Sequence, residues 1–116
     1  MLMAKKIKFF AEIKSPPFES EACLEIGGIL RSFQEGEIPG APMVKPIHQI
    51  GKLCYEIRHK TAQHNWRVYL AIRTDIAVLV IEDKKSDSIS KSIIKTCKSR
   101  LHLYELAEKE LKKEAL

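Results

Sequence analysis

A chain of 116 residues is long enough for one domain with a single hydrophobic core. With 45% hydrophobic and 30% charged residues, and only five glycines and five prolines, its composition indicates an ordinary globular protein and excludes a disordered one. The net charge of +5 permits a polyanionic partner such as nucleic acid but does not require one. We therefore expect a single domain over residues 1–116.

The sequence shows no sign of a membrane segment or a secretory signal. No apolar run reaches the roughly 18 residues of a membrane span, and the first residues, "MLMAKKIKFFAEIK", lack a small-residue cleavage site. Cys23, Cys54 and Cys97 have neither metal-ligand nor redox spacing, so we expect buried free thiols. These features predict a cytoplasmic protein.

The first half of the chain predicts a strand, a helix and a long loop. The strand covers "KKIKFFAEI" and ends at Ser15-Pro16-Pro17, because proline lacks the backbone donor that a ladder needs. Helical spacing begins at Phe18, and Gly27-Gly28 within it predicts either two shorter helices or a close helix–sheet contact. The segment "QEGEIPGAPMVKPIHQIGK" has three prolines and three glycines, so we expect a loop. The apolar face of the helix comprises Ala22, Ile26, Ile29, Leu30 and Phe33.

The second half predicts three strands, at 53–59, 65–73 and 76–81, and then a helix. The third strand, "IAVLVI", is apolar on both faces, as expected of an interior strand, and Thr74-Asp75 predicts that it pairs antiparallel with the second. The helix has an apolar stripe at Ile89, Ile93, Cys97 and Leu101, a basic stripe at Lys91, Lys95 and Lys98, and a capping residue at Ser86, Asp87 or Ser88.

These elements predict an α+β fold. We expect an antiparallel-rich four-stranded sheet packed against an N-terminal helix, or helix pair, and a C-terminal helix. Because an antiparallel sheet can have one solvated face, we expect the helices to cover one face and to leave the other open to a partner.

Side-chain alternation constrains how the strands at 53–59 and 65–73 pair. One register directs the apolar side chains of both strands toward the core, and it aligns Ile57 with Val68. The same register places Arg58 opposite Arg67, and Glu56 opposite Tyr69, on the other face. Neighbouring registers leave the two arginines diagonal to each other on that face.

Two like charges that face each other on a sheet are unfavourable by roughly 0.2–1 kcal/mol. We therefore expect an anion between Arg58 and Arg67, or the carboxylate of Glu56. Lys84 and Lys85, at the end of the adjacent strand, add two cations, and phosphate is the natural occupant of such a site. A solvated strand face, neutralised by Glu56, explains the same residues without RNA.

Four segments of the chain occur in the order found in one toxin superfamily: "PPFESEACLEIGGILRSFQEGE", "KPIHQIGKLCYEIR", "NWRVYLAIRTDIAVLVIEDKKS" and "IIKTCKSRLHLYE". The most specific motifs are the E-[IL]-R strand, the aromatic-Arg-[VI]-Y strand, the apolar strand before a Lys-Lys pair, and the Lys-x-Arg-Leu helix. On these motifs the chain resembles the RelE/ParE superfamily toxins of bacterial type II toxin–antitoxin systems, above all the HigB-like, phage-derived branch. The resemblance covers Pro16 to Glu105.

The resemblance implies a small RelE-like α+β toxin that enters the ribosomal A site and cuts mRNA without a metal or another cofactor. The 2′-hydroxyl attacks the adjacent phosphate, while basic residues align that phosphate and stabilise its charge. The resemblance also implies an antitoxin partner, usually with a helix-turn-helix domain. No membrane association is expected, and an oligomer is compatible with the family.

The same motifs imply a role for each site residue. Arg67 is expected to contact the scissile phosphate, and Arg58 to position the RNA backbone. Glu56 would act as a base toward the 2′-hydroxyl or would orient Arg58. Lys84 or Lys85 would stabilise the transition state or protonate the leaving 5′-oxygen.

A second hypothesis is a non-catalytic interaction protein, or a gyrase-directed relative, with the same fold. The family branch usually has an apolar aromatic residue before the lysine pair, where this chain has Glu82-Asp83, and residues 82–92 contain neither Tyr nor His. These acids, together with Asp87, would weaken the attraction for RNA. The stripe of Lys91, Lys95 and Lys98 either contacts RNA or forms a solvated helix face.

Two further groups of residues have a functional and a structural interpretation. His59 and His64 flank the hairpin turn and would bind a metal with Cys54, but Cys54 points to the side of Arg58 and turn histidines usually face solvent. Trp66 would stack on a base or pack in the core, and its phase with Val68 favours the core.

Overall fold

The computed structural model describes residues 4–11, 13, 17–85 and 88–114, and within them two helices and five strands. In chain order these elements are β1 (Ile7–Phe9), α1 (Ser20–Gln34), β2 (Val44–Pro46), β3 (Cys54–Lys60), β4 (Asn65–Ile72), β5 (Ile76–Asp83) and α2 (Lys91–Glu114). The predicted α+β class is confirmed.

The strands form one sheet in the order β1-β5-β4-β3-β2. The four strands β2 to β5 pair antiparallel in succession, whereas β1 pairs parallel with β5. The sheet is therefore mixed, and the prediction of four strands is wrong. Strand β5 lies between β1 and β4 and is buried over residues 76–80, as its unbroken apolar run predicted.

The extra strand, β2, lies inside the segment that was predicted to be a loop. It pairs with the first half of β3, and Pro46 opposite Tyr55 is tolerated because β2 is at the edge of the sheet. At the other edge, β1 is shorter than predicted. Of the residues expected to end it, Ser15 and Pro16 lie outside the described residues.

Helix α1 is a single helix, and all five residues of its predicted apolar face are buried. Gly27 and Gly28 do not interrupt it. Apart from the adjacent residues and the nearby backbone of α1 itself, no described atom lies within 4 Å of the position that a Cβ would take at either glycine, so they make no close contact with the sheet. Both structural explanations offered for this glycine pair are therefore wrong.

Helix α2 begins after Ser90, whose Oγ accepts a hydrogen bond from the backbone N of Ile93 at 3.2 Å. Ser90 therefore caps the helix instead of Ser88, while the other predicted caps, Ser86 and Asp87, lie outside the described residues. The predicted apolar stripe is buried at Cys97 and Leu101 and half-buried at its start.

The two helices pack on opposite faces of the sheet. Helix α1 packs on the face that includes Ile57, Trp66, Val68, Leu70 and Val78. Helix α2 packs on the face that includes Cys54, Tyr69, Ala71, Ala77 and Leu79. Because Arg58 and Arg67 belong to the second set by alternation, the expectation that their face is left open is wrong.

Cys54 and Cys97 are buried free thiols, as predicted, whereas Cys23 is exposed. Neither helix in the described part of the chain is long and apolar enough to cross a membrane.

Candidate nucleic-acid interface

The β3–β4 ladder places Arg58 directly opposite Arg67 and Glu56 opposite Tyr69. This is one of the registers that side-chain alternation allowed, the one that aligns Ile57 with Val68. The turn between the strands is closed by two local hydrogen bonds: Thr61 N donates to the carbonyl of His64 at 2.8 Å, and His64 N donates to Thr61 Oγ1 at 3.0 Å. A compact, hydrogen-bonded turn fixes the pairing of the strands that it joins.

The carboxylate of Glu56 lies between the two guanidinium groups. Arg58 Nε donates to Glu56 Oε1 at 2.6 Å, and Arg67 Nη1 donates to Glu56 Oε2 at 3.1 Å. Glu56 thereby offsets the repulsion between the arginines, which is one of the two arrangements that the sequence left open. Because a buried carboxylate must be paired, the arrangement also explains how Glu56 is tolerated inside the protein.

Burial separates the roles of these three residues. Glu56 is 0% exposed and Arg67 is 1% exposed, whereas the Arg58 side chain is 33% exposed. In this conformation Arg67 does not reach a phosphate at the surface, and Glu56 does not reach a 2′-hydroxyl. Arg58 is the accessible member, and Arg67 and Glu56 lie behind it as supports.

Tyr69 and Glu82 extend this polar cluster. Tyr69 Oη donates to Glu82 Oε2 at 2.8 Å, and the ladder sets Glu82 opposite Arg67. Burial, reinforced by the hydrogen bond to Glu82, raises the pKa of Tyr69 far above its ordinary value, so its hydroxyl remains a neutral donor. Tyr69 was not predicted as a site residue, although its alternation with Arg67 along β4 was a visible signal.

Lys84 and Lys85 follow β5 at the end of the sheet where the β3–β4 hairpin turns. Backbone N of Lys84 donates to the carbonyl of Asn65 at 2.9 Å, which ties this segment to the hairpin. Both lysines line a recess of about 170 Å³ with residues 60–65. Lys85 is exposed and Lys84 is half-buried, so the two predicted cations lie at the same end of the sheet as Arg58.

His64, in the hairpin turn, lies between two carboxylates. Its Nδ1 is 2.6 Å from Asp83 Oδ2, and its Nε2 is 3.2 Å from Glu19 Oε2. The hydrogen bond with Asp83 raises the pKa of His64, because both carboxylates favour the doubly protonated ring. The imidazole also stacks on Trp66, with ring centroids 4.8 Å apart and an interplanar angle of 26°.

Glu19 is a residue of this site that the sequence did not reveal. Besides contacting His64, it accepts a hydrogen bond from Trp66 Nε1 at 2.9 Å. Trp66 is 5% exposed and makes an edge contact with Phe18, so the prediction that it packs in the core is confirmed. The contact joins the N-terminal end of α1 to the hairpin, and nothing in the local pattern of either segment predicts it.

Asp83, expected from the sequence to repel RNA, has a structural role. It accepts hydrogen bonds from the His64 ring and from the backbone N of Asn65, the latter at 2.8 Å. The hydrogen bond with His64 is the main reason that the pKa of Asp83 is lowered. Asp83 and Glu82 are therefore both engaged within the protein, and Asp87 lies outside the described residues.

Comparisons with protein-family models, with curated proteins and with solved structures gave no significant match to this chain. The family assignment therefore stays a prediction that rests on the four motif segments.

The metal site considered for Cys54, His59 and His64 is not assembled. Cys54 is opposite Ala71, at the far end of β3 from the hairpin turn, and both nitrogens of His64 contact carboxylates. Among the residues that the structure describes, no group of three or more His, Cys, Asp or Glu side chains has a geometry that could hold a metal ion.

The basic stripe of α2 is exposed at Lys91, Lys95 and Lys98. Lys95 borders a shallow groove with Phe10 and Arg100, on the side of the molecule where β1 lies. No hydrogen bond or ion pair between described residues joins the stripe to Glu56 or to either of its arginine partners.

Proposed function

We propose that this protein is a cytoplasmic toxin of a type II toxin–antitoxin system, a HigB-like member of the RelE/ParE superfamily. Its proposed activity is metal-independent cleavage of mRNA on the ribosome. The observation that supports it best is the position of Arg58, which is one-third exposed and held at 2.6 Å by the buried carboxylate of Glu56. Lys84 and Lys85 lie at the same end of the sheet. Cations that are held in place in this way are suited to binding a phosphate group.

In the proposed reaction, the 2′-oxygen of a nucleotide attacks the adjacent phosphorus and the bond from phosphorus to the 5′-oxygen breaks. The products are a 2′,3′-cyclic phosphate and a 5′-hydroxyl. The proton of the 2′-hydroxyl passes to water, and the leaving 5′-oxygen takes a proton from Lys84 or Lys85. Arg58 stabilises the charge that gathers on the non-bridging oxygens, so catalysis is mainly electrostatic.

Arg67 and Glu56 act in this proposal as positioning residues. Glu56 orients Arg58, which is the second of the two roles considered for it, and Arg67 neutralises the remaining oxygen of the same carboxylate. Lys91, Lys95 and Lys98 are assigned to contacts with the ribosome. The expected partners are mRNA, the ribosome and an antitoxin with a helix-turn-helix domain.

Translation in a cell-free extract tests the proposal. Purified protein should cleave mRNA within ribosome-bound transcripts, and Arg58→Ala should abolish the cleavage. Lys113→Ala is the matched control, because Lys113 is also a cation but is 77% exposed near the end of α2. If wild-type protein neither cleaves mRNA nor inhibits translation, the toxin proposal fails.

The second candidate is a non-catalytic or gyrase-directed protein of the same fold. It is favoured by the burial of Arg67 and Glu56, which neutralise each other instead of facing a ligand. Overexpression without an antitoxin separates the possibilities. Growth arrest with intact mRNA would favour a protein that acts on gyrase. Normal growth would favour a non-catalytic interaction protein.

A further inference from the structure

We propose that the exposed face of the His64 imidazole is a stacking platform for a nucleobase of single-stranded RNA, whose flanking phosphates bind Lys60, Lys84 and Lys85. The proposal rests on the proposed function in one respect only, that the ligand is RNA. It does not require the strand to be cut.

The ring of His64 is held on three sides. Trp66 lies against one face, Asp83 contacts Nδ1 and Glu19 contacts Nε2. The His64 side chain is nevertheless 34% exposed. Since Trp66 covers one face and both ring nitrogens contact carboxylates, the proposal assigns this exposed area to the opposite face. A flat aromatic ring with a fixed orientation and one free face is the geometry on which unpaired bases stack.

The backbone below the ring is equally well fixed. Thr61 and His64 exchange two hydrogen bonds across the turn, and Asn65 is tied to Asp83 and Lys84 by two more. A platform that is already ordered loses little conformational entropy when a ligand binds, so more of the stacking free energy appears as affinity.

The surroundings of the ring suit a nucleotide with its phosphates. The recess beside His64 has a volume of about 170 Å³, and Lys60, Lys84 and Lys85 all line it. Asp83 also lines the recess, and its carboxylate contacts His64 Nδ1 and the backbone N of Asn65. Glu19 contacts His64 Nε2. The three lysines outnumber the two carboxylates at this site, as a polyanionic strand requires.

Trp66 provides a direct signal for the experiment, because it is the single tryptophan of the chain and lies under His64. We would titrate the full chain with an eight-nucleotide oligoriboadenylate at low salt and follow Trp66 fluorescence. The expected result is a saturable change in emission. Absence of binding by the wild-type protein would overturn the proposal.

Two substitutions at His64 isolate the stacking contribution. His64→Ala should weaken binding at least about five-fold, the lower end expected for loss of one aromatic partner of a base. His64→Phe loses the same carboxylate contacts but keeps a flat ring, so it should bind within about three-fold of wild type. If the His64→Phe variant binds RNA as weakly as the His64→Ala variant, stacking does not contribute to binding and the proposal is refuted. Melting temperatures of both variants control for folding.

The remaining comparisons separate this site from the proposed function. Lys84→Ala/Lys85→Ala should weaken binding and reduce its salt dependence. If that variant binds weakly while His64→Ala binds like wild type, the platform is refuted and RNA binding stands. If RNA binds through His64 but mRNA is not cut in the extract, the platform stands and the proposed function fails. Adenosine monophosphate that binds as tightly as the oligonucleotide would refute recognition of a strand.

Discussion

Arg58 and Arg67 face each other across the β3–β4 ladder and share a single carboxylate, that of Glu56. The pair is therefore not the empty anion site that two facing arginines suggest. One guanidinium is buried and structural, and the other reaches the surface. The distinction between them leads to different expectations for stability and for activity.

Glu56→Gln should reduce the free energy of unfolding by about 3–5 kcal/mol, because it removes the buried negative charge that contacts Arg67 Nη1 inside the protein. Urea unfolding followed by circular dichroism measures the change. Glu110→Gln is the matched control, since Glu110 is 71% exposed and should cost less than about 0.5 kcal/mol. A cost at Glu56 no larger than the control's would show that the pair contributes little.

Arg67→Met should destabilise the protein by about 3 kcal/mol or more, whereas Arg58→Ala should cost less than about 2 kcal/mol. The reason is that Arg67 is 1% exposed and the Arg58 side chain is 33% exposed. The order in activity should be different: Arg58→Ala should lose mRNA cleavage although it is the less destabilised of the two variants. Equal losses of stability would contradict the assignment of Arg67 as the buried support.

The contact between His64 and its carboxylates should make stability depend on pH. The pKa of His64 is raised above its ordinary value of 6.5, so its contribution is fully present below pH 6.5 and is lost as the pH rises through the raised value. The pKa of Asp83 is lowered below 3.8, so its contribution is present above pH 3.8 and is lost on further acidification. The contact between His64 and Asp83 should therefore stabilise the protein most between pH 3.8 and pH 6.5.

Melting temperatures of the wild type and of His64→Gln, measured across this pH range, test the expectation. The difference between the two proteins should shrink as the pH rises above the raised pKa of His64. Lys60, Asp83, Lys84 and Lys85 line the same recess and Glu19 contacts His64 Nε2. These charged groups are present in both proteins, so the difference curve reports His64. A difference that stays constant from acid to alkaline pH would refute the contact.

Gly27→Ala and Gly28→Ala should each stabilise the protein by about 1 kcal/mol, because alanine is the better helix former and both sites have open space. Gly36→Ala is the informative control. Gly36 also has open space, but its φ of +85° disfavours a Cβ, so the same substitution should destabilise. A loss of stability at Gly27 or Gly28 would indicate that α1 requires glycine there for a structural reason.

Much of the sheet, and the position of the two arginines of the candidate site, could be predicted from local sequence patterns. Alternation in "CYEIRHK" and "NWRVYL" determines which side chains share a face, and the short turn leaves few registers, so the opposition of Arg58 and Arg67 was predictable. The helical spacing from Ala22 to Phe33 likewise determined the buried face of α1.

Other features depend on partners that are distant in the sequence. Strand β2 has three residues and a proline, and it is a strand only because the edge of β3 is available to pair with it. Glu19 meets His64 and Trp66 only because α1 packs across the end of the hairpin.

The sequence by itself determined the helices and every strand except β2, the apolar faces and the pairing of the two arginine strands, since these depend on residue spacing and short turns. Only the tertiary structure decided which face of the sheet each helix covers. An apolar stripe on α2 specifies that it must be buried, but not against which surface. Helix α2 packs on the face to which both arginines belong. On that face Arg67 is buried inside the protein, whereas Arg58 reaches the surface.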